Sequence, residues 1–260
     1  MFPSINIFNK EISMYTIMII IGVIVCGIYI VKICKLKKID DNKIITLLLI
    51  SSIGVLIGSH LLYALTKIDL ILLFISKIHK VNSFKLLIDC LLEIFCGSVF
   101  YGGLIGGLIT AYIYMKNKKM NINIISDLCT PIIPLFHFYG RIGCFLVGCC
   151  YGIESKFGFT YKNSLNELAN HVSRFPIQLV ESFSNLILFI ILYIFYKKEK
   201  FKGKLIYIYL ISYSILRFIF EFFRGDSYRG FIFGLSTSQF ISVLLLIFSI
   251  ILLIVKRKKA

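Results

Sequence analysis

One stretch of this sequence, H-F-Y-G-R-I-G-C-F-L-V-G-C-C-Y-G over residues 137–152, gathers reactive residue types in an otherwise apolar setting. Arg141 is a fixed cation there. Placing such a charge in a bilayer costs about 2.5–3.5 kcal/mol on insertion scales, so it faces a bundle interior or a wet cavity. Gly140, Gly143, Gly148 and Gly152 leave space around it, and Cys144, Cys149 and Cys150 bring thiols. Continued as one helix, the segment puts Arg141, Cys144, Gly148 and Gly152 on one face, Cys149 at its edge and Cys150 on the far side. A buried cation beside small residues and a thiol is a candidate binding site. The alternative is a structural arginine bonded to backbone carbonyls.

Two further groups carry charge into apolar runs. Arg217, Glu221 and Arg224 stand at i, i+4 and i+7 and share one helix face. Arg174, Gln178 and Glu181 recur at a similar spacing where a long polar loop gives way to an apolar run. Charges converging from three helices describe a polar chamber opening toward the outer leaflet. Arginines lining such a chamber suit a phosphate, whose oxygens accept paired, charge-assisted bonds. The competing reading is a set of buried structural ion pairs, a poor stability device because desolvation is costly.

The elements that must position these residues are membrane spans. Of the 260 residues 58% are hydrophobic, above the roughly 45–50% of a soluble domain, and several apolar runs reach the ~20 residues that cross a bilayer as helix. The first run lacks a basic leader and a small-residue cleavage site and reads as a retained span. The net charge of +16 sits in short loops between apolar runs, the positive-inside pattern, where it also favours anionic lipid headgroups. Nucleic-acid binding is excluded, since the basic clusters have neither an aromatic platform nor a folded domain to carry them. Apart from the 144/149/150 group the eight cysteines are scattered through apolar runs, as small buried hydrophobes are. They form neither a secreted disulfide framework nor a zinc ribbon, and neither a metal nor a cofactor is expected.

Seven spans are predicted, at about 14–31, 44–65, 97–115, 124–150, 176–196, 205–223 and 233–255. They form one membrane domain over 1–260, all α, with the N-terminus outside and the C-terminus cytoplasmic. Residues 66–96 hold an apolar piece too short to span and read as a re-entrant or surface arm. Gly54/Gly58, Gly102/Gly106 and Gly103/Gly107 form small-x-x-x-small pairs that let helices approach closely. Pro131 and Pro134 predict a kinked or broken helix ahead of Arg141.

Six pieces occur together in order: F-Y-G-G-L-I-G-G (100–107), S-D-L-C-T-P-I-I-P-L (126–135), G-R-I-G-C-F-L-V-G-C-C-Y-G (140–152), R-F-P-I-Q-L-V-E (174–181), R-F-I-F-E-F-F-R (217–224) and G-L-S-T-S-Q (234–239). In this the chain resembles the prolipoprotein diacylglyceryl transferases of bacterial inner membranes. The resemblance implies a seven-helix enzyme of the bacterial cell membrane. Such an enzyme moves the diacylglyceryl group of phosphatidylglycerol onto the cysteine thiol of a prolipoprotein signal peptide, forming a thioether and releasing glycerol phosphate. It implies that Arg141 contacts the lipid headgroup, that Arg224 lies near the phosphate, and that Tyr15 and Gly152 belong to the substrate site. Through the shared motifs it also places Gly102, Gly103, Cys144, Arg174, Gln178, Glu181, Glu221 and Gln239 on the substrate side.

Departures from the family pattern fall on the acceptor side. The signature G-R-x-G-N-F-x-N-x-E-x-x-G has Cys144 at its asparagine and Cys149 at its glutamate, and Tyr101 replaces the histidine before the Gly-Gly. Phe175 replaces the polar residue beside Arg174. The phosphate clamp is kept while the groups that handle the acceptor proton are exchanged, leaving Cys149 and Tyr101 as the catalytic positions there. His137 or Glu181 are possible substitutes. The cysteines then admit four readings: inert replacements, a redox pair at Cys149–Cys150, a thiol relay that carries the lipid group, or, with His137, a soft-metal site. Alternatives for the whole chain are a paralogue with another acceptor, a pseudoenzyme, and a non-enzymatic lipid binder or transporter for an anion or sulfur compound. The chain shows no internal repeat of the kind common in transporters.

Overall fold

The computed structural model describes residues 3–7, 10–77, 83–164, 166–226 and 231–258. They fall into two compact units, one formed by residues 1–39 with 123–260 and the other by 40–122.

In the first unit the lead-in folds as a hairpin of β1 (Ser4–Ile7) and β2 (Lys10–Ser13), paired antiparallel. Helix α1 (Met14–Lys37) follows, capped at its start by the Ser13 hydroxyl accepting from the Tyr15 N–H and closed by Lys38 in the left-handed region. The predicted fourth span is two helices, α6 (Ile122–Cys129) and α7 (Ile132–Val147), interrupted at Thr130–Pro131 where proline removes a donor. Then come α8 (Ile177–Lys197), α9 (Leu205–Glu221) and α10 (Thr237–Lys258). Between α7 and α8 the polar stretch forms a small antiparallel pair, β3 (Glu154–Thr160) with β4 (Ser173–Arg174), and a further short pair, β5 (Phe231–Ile232) with β6 (Leu235–Ser236), precedes α10.

Helix α7 packs between α1 and α8, and α9 between α8 and α10. Small residues set the α1–α7 approach: a Cβ on Gly22 would come within 3.1 Å of the Tyr139 side chain, and one on Gly143 within 3.0 Å of the Tyr15 ring. Asp127 of the S-D-L-C-T-P piece works at the opposite end from the arginines. Its carboxylate accepts from the backbone N–H of Gly203 and, at 3.1 Å, from that of Leu205, so it satisfies the open start of α9.

The second unit holds α2 (Asp41–Leu65), α3 (Ile68–Lys77), α4 (Phe84–Phe95) and α5 (Phe100–Asn117). Helices α2 and α5 pack through their glycines. Cβ atoms built on Gly54 and Gly58 would lie 2.7 and 2.3 Å from the carbonyl oxygens of Gly106 and Gly102, and the reciprocal clashes are 2.3 and 2.2 Å. Such backbone contact is possible only without side chains. The 66–96 arm is α3 and α4, both short and amphipathic, and α4 meets α5 at a bend of 90°. The bend is tied to α2 by the Ser59 carbonyl, accepting from the Val99 N–H at 3.1 Å, and by His60. His60 Nδ1 lies 2.8 Å from both the Phe95 and Gly97 carbonyls, so it carries the ring proton.

Among the described residues, five stretches are long and apolar enough to cross a membrane: α1, α2, α6 with α7, α8 and α10. The bent α4–α5 pair makes a sixth. Helix α9 has 17 residues, about 25 Å of helix, slightly under a ~30 Å hydrocarbon core. The chain is a polytopic, all-α membrane protein.

Candidate active site

Arg141 lies in the middle of α7 and Glu181 in the second turn of α8; Arg217 and Glu221 lie on the last two turns of α9. Arg224 lies past the end of α9 and is placed by backbone. The Ile153 N–H donates to the Phe223 carbonyl and the Gly225 N–H to the Tyr151 carbonyl, each at 3.0 Å, so Gly152 and Arg224 pair as a single antiparallel bridge. That closeness explains the glycine. A Cβ at Gly152 would stand 2.3 Å from the Phe175 carbonyl and 3.1 Å from that of Phe223.

Three arginines from three directions meet around one carboxylate. Glu181 receives Arg141 Nε at 2.5 Å, Arg217 Nη1 at 3.2 Å and Arg224 Nη1 at 3.7 Å. Glu221 pairs with Arg217 at 2.5 Å and Arg224 at 4.0 Å and accepts from the Ser236 hydroxyl at 3.0 Å. Asp226 takes the Arg224 fork with both oxygens, at 2.9 and 2.7 Å. These side chains are between 3% and 13% exposed. Among the described residues, three guanidiniums stand against three carboxylates, a formally neutral set. It is not saturated, however: Arg141 Nε and Arg224 Nη1 sit in ion-pair range of Glu181 without an aligned hydrogen bond. Donors held this way are ready for an incoming oxyanion.

The thiols form a second cluster. Helix α7 stops at Val147 because Gly148 turns left-handed at φ 81°, its N–H closing on the Cys144 carbonyl at 3.0 Å. The Cys149 N–H also reaches that carbonyl, at 3.1 Å, and Cys150 is itself left-handed at φ 54°. The chain therefore doubles back on the helix end, and the three sulfur atoms lie within 4.8 Å of one another. A continuous helix, which would send Cys150 to the far side, is corrected here: the helical period ends before Cys149. The other two thiols, and then Arg224 and Arg141, hold the Cys150 thiol well below its usual range.

Around this cluster the expected site residues take distinct places. Tyr15, at the start of α1, lies against Gly143 and is 41% exposed. Gln178 is fully buried; its amide nitrogen donates to the Cys149 carbonyl at 2.9 Å and to the Tyr161 hydroxyl oxygen at 3.1 Å. Burial pushes that hydroxyl up to about 12. Arg174 directs its nitrogens at the carbonyls of Ala169, Gly152 and Leu168 and stacks over Tyr151 at 4.3 Å, so it builds the loop beneath the thiols. Gln239 accepts from the Ser236 N–H at 3.0 Å at the start of α10. His137 stacks beside Tyr213, ring centres 5.5 Å apart, and lines a small cavity with Arg141, Glu181 and Arg217; it is not a member of the thiol cluster. Tyr101, Gly102 and Gly103 belong to the second unit, where all three are buried.

Two members of the arginine group lie outside the site residues that the family resemblance marks. Arg217 is central, joining Glu181, Glu221 and the Ser238 hydroxyl. Its position at i−4 from Glu221 was the available signal. Asp226 follows a helix end and a glycine, where sequence spacing carries no facing information.

The sequence profile described as prolipoprotein diacylglyceryl transferase matches residues 4–255. Among similar proteins is a phosphatidylglycerol–prolipoprotein diacylglyceryl transferase of Clostridium tetani, 35% identical over 251 residues, covering 94% of this chain and 93% of the relative. A second transferase of the same description from Clostridium perfringens is 32% identical over 255 residues, covering 98% and 94%. One from Campylobacter hominis is 32% identical over 248 residues, covering 93% and 86%. A polytopic helical membrane protein with a buried arginine–carboxylate cluster is the class that fold and site define. Within that class, the chain belongs to the prolipoprotein diacylglyceryl transferase family.

Proposed function

We propose that this chain transfers the diacylglyceryl group of phosphatidylglycerol to the lipobox cysteine thiol of a prolipoprotein signal peptide, releasing glycerol phosphate. The observation that carries this reading is the meeting of Arg141 and Arg224 on one carboxylate, at 2.5 and 3.7 Å, inside membrane-spanning structure. A phosphodiester presents the same paired oxygens as the carboxylates that now hold these guanidiniums. As the carbon–oxygen bond of the lipid breaks, negative charge collects on the departing phosphate, and two preorganised guanidiniums stabilise it most where it is greatest. Arg217 positions the acids that position the clamp.

On the acceptor side the thiol must react as thiolate. Cys149, at the signature glutamate position, and Tyr101, at the signature histidine position, are the groups we assign to it. Tyr15, Gly102, Gly103, Cys144, Gly152, Glu181, Glu221 and Gln239 make up the substrate side of the reading, while Arg174 and Gln178 support it by holding the 148–152 loop. The membrane is the cytoplasmic membrane of a bacterium, with seven spans, the N-terminus outside and the basic loops within.

The test is complementation of bacteria depleted of their own diacylglyceryl transferase, read as transfer of labelled lipid to a lipobox peptide. Wild type is expected to restore transfer and Arg141→Ala to abolish it. A well-folded wild type that transfers nothing would refute the reading and leave a lipid-binding membrane protein.

A further inference from the structure

The three thiols at the end of α7 have the form of an incomplete metal site. We infer that Cys144, Cys149 and Cys150 bind a zinc ion through their sulfurs, leaving its fourth position for the acceptor thiol, an inference that rests on the transferase reading above. The geometry is specific. Tetrahedral zinc with Zn–S bonds of about 2.3 Å sets its sulfurs about 3.8 Å apart, and here all three lie within 4.8 Å of one another. Closing on a metal needs rotamer adjustments of about an ångström, not a backbone movement.

The backbone is arranged for this convergence. A C-x4-C-C spacing cannot chelate along a continuous helix, but Gly148 and Cys150, both left-handed, fold the second and third cysteines back over the first. A non-glycine residue is strained in that region, and the 148–152 loop is held in place by Gln178 on the Cys149 carbonyl and Arg174 on the Gly152 carbonyl. Three soft thiolate donors select a thiophilic ion such as zinc over magnesium or calcium. Three protein ligands with one open position is the pattern of a reacting zinc site, whereas structural sites are closed by four. Cys144 is buried, but Cys149 and Cys150 are only partly so, which leaves the open side reachable.

The site supplies what the acceptor half lacks. Zinc held by Cys144, Cys149 and Cys150 would offer its fourth position to the acceptor cysteine, holding the sulfur as thiolate while the thiol proton passes to water. The bound thiolate then attacks the lipid carbon that bears the phosphate. A carbon–sulfur bond forms, the carbon–oxygen bond breaks, and its electron pair leaves on glycerol phosphate against the arginines. The product thioether is a neutral, weak ligand and departs. A relay through an enzyme cysteine is disfavoured by the same chemistry, since it would end in a thioether as inert as the product.

The test is made on the full chain purified in detergent under reducing conditions and equilibrated with zinc. Elemental analysis is expected to find stoichiometric zinc in wild type and in Arg141→Ala, and loss of it in Cys149→Ser/Cys150→Ser. Replacing zinc with cobalt(II) gives a readout that needs no variant: thiolate-to-cobalt absorption whose visible bands shift when a lipobox peptide is added, and do not shift with the same peptide carrying alanine for its cysteine. Folded wild type without zinc, zinc undiminished in the double variant, or cobalt bands unmoved by the cysteine peptide would each overturn the inference. Lipid transfer that proceeds without zinc would also overturn it while leaving the transferase standing. A peptide-responsive cobalt site on a chain that transfers nothing would instead remove the transferase reading.

Discussion

Glu181 is the residue on which the site's electrostatics turn, and Glu181→Gln isolates its charge from its shape. The amide keeps one oxygen able to accept from Arg217 Nη1, now 3.2 Å away. It removes the charge that faces Arg141 Nε at 2.5 Å and Arg224 Nη1 at 3.7 Å. The group then changes from neutral to a net charge of +1. Removing one partner of a buried ion pair costs about 3–5 kcal/mol, and the retained hydrogen bond offsets roughly 1 kcal/mol of that. A net loss of about 2–4 kcal/mol corresponds to a melting temperature lower by roughly 5–15 °C at this chain length. The chain has no tryptophan, so unfolding in detergent is best followed by circular dichroism. The same substitution should make an added anion more effective: phosphatidylglycerol in the micelle should raise the melting temperature of Glu181→Gln by more than that of wild type, because it supplies the missing charge. A variant that melts like wild type, or gains no more from the anionic lipid, would refute the idea that Glu181 holds the place a phosphate takes.

Three other perturbations test the surrounding structure. Gly102→Ala puts a methyl 2.2 Å from the Gly58 carbonyl, whereas Gly27→Ala meets nothing within 4 Å; the first should cost about 1–3 kcal/mol of stability and the second should be near neutral, read as paired melting curves. Arg174→Lys loses the guanidinium fork that serves three carbonyls and the stack on Tyr151; a single ammonium cannot replace it, and alkylation of Cys149 and Cys150 should quicken as the loop loosens. At the membrane surface, Lys202 and Lys37 hold the Glu199 carboxyl down at about 2. Its folded value lies below the unfolded one of about 4.3, so its contribution is present above that pH and is lost as pH falls toward 2. Since the pair is exposed and therefore weak, Glu199→Gln should flatten only a shallow acid limb of the stability profile.

Much of this was legible in the sequence because it depends on regular periodicity. The Gly54/Gly58 and Gly102/Gly106 spacings do hold α2 and α5 in backbone contact, Pro131 does break the helix ahead of Arg141, and the i, i+4 spacing does pair Arg217 with Glu221, while Arg224, past the end of the helix, is brought to them by its backbone bridge to Gly152. What was not legible depends on residues that leave a helix. The place of Cys150 follows from left-handed turns at Gly148 and Cys150, that of Asp226 from the pairing of residues 223–225 with 151–153, and the loop-building role of Arg174 from carbonyls exposed by a short 3-10 turn. The bend between α4 and α5 likewise depends on one ring nitrogen of His60. Hydropathy reports none of these, because each is set by backbone turns or by hydrogen bonds to backbone groups.

The neutrality of the arginine group is itself informative about how such a site survives in a membrane. Three uncompensated guanidiniums in low dielectric would either unfold the bundle or draw in water and counterions. Three carboxylates solve this, yet they do so unevenly. Glu181 and Glu221 are shared and 4% and 8% exposed, while Asp226 takes the Arg224 fork and is 13% exposed. A phosphodiester carries one negative charge and offers the same paired oxygens as one carboxylate. It can therefore take over one pairing, leaving the other two to hold the scaffold, without any change in the number of guanidiniums. Arginine in place of lysine follows from the same count: a planar fork can face a scaffold acid with one nitrogen and an exchangeable anion with the others, which a single ammonium cannot do. The acids that neutralise the site at rest and the arginines that stabilise a leaving phosphate thus form one device.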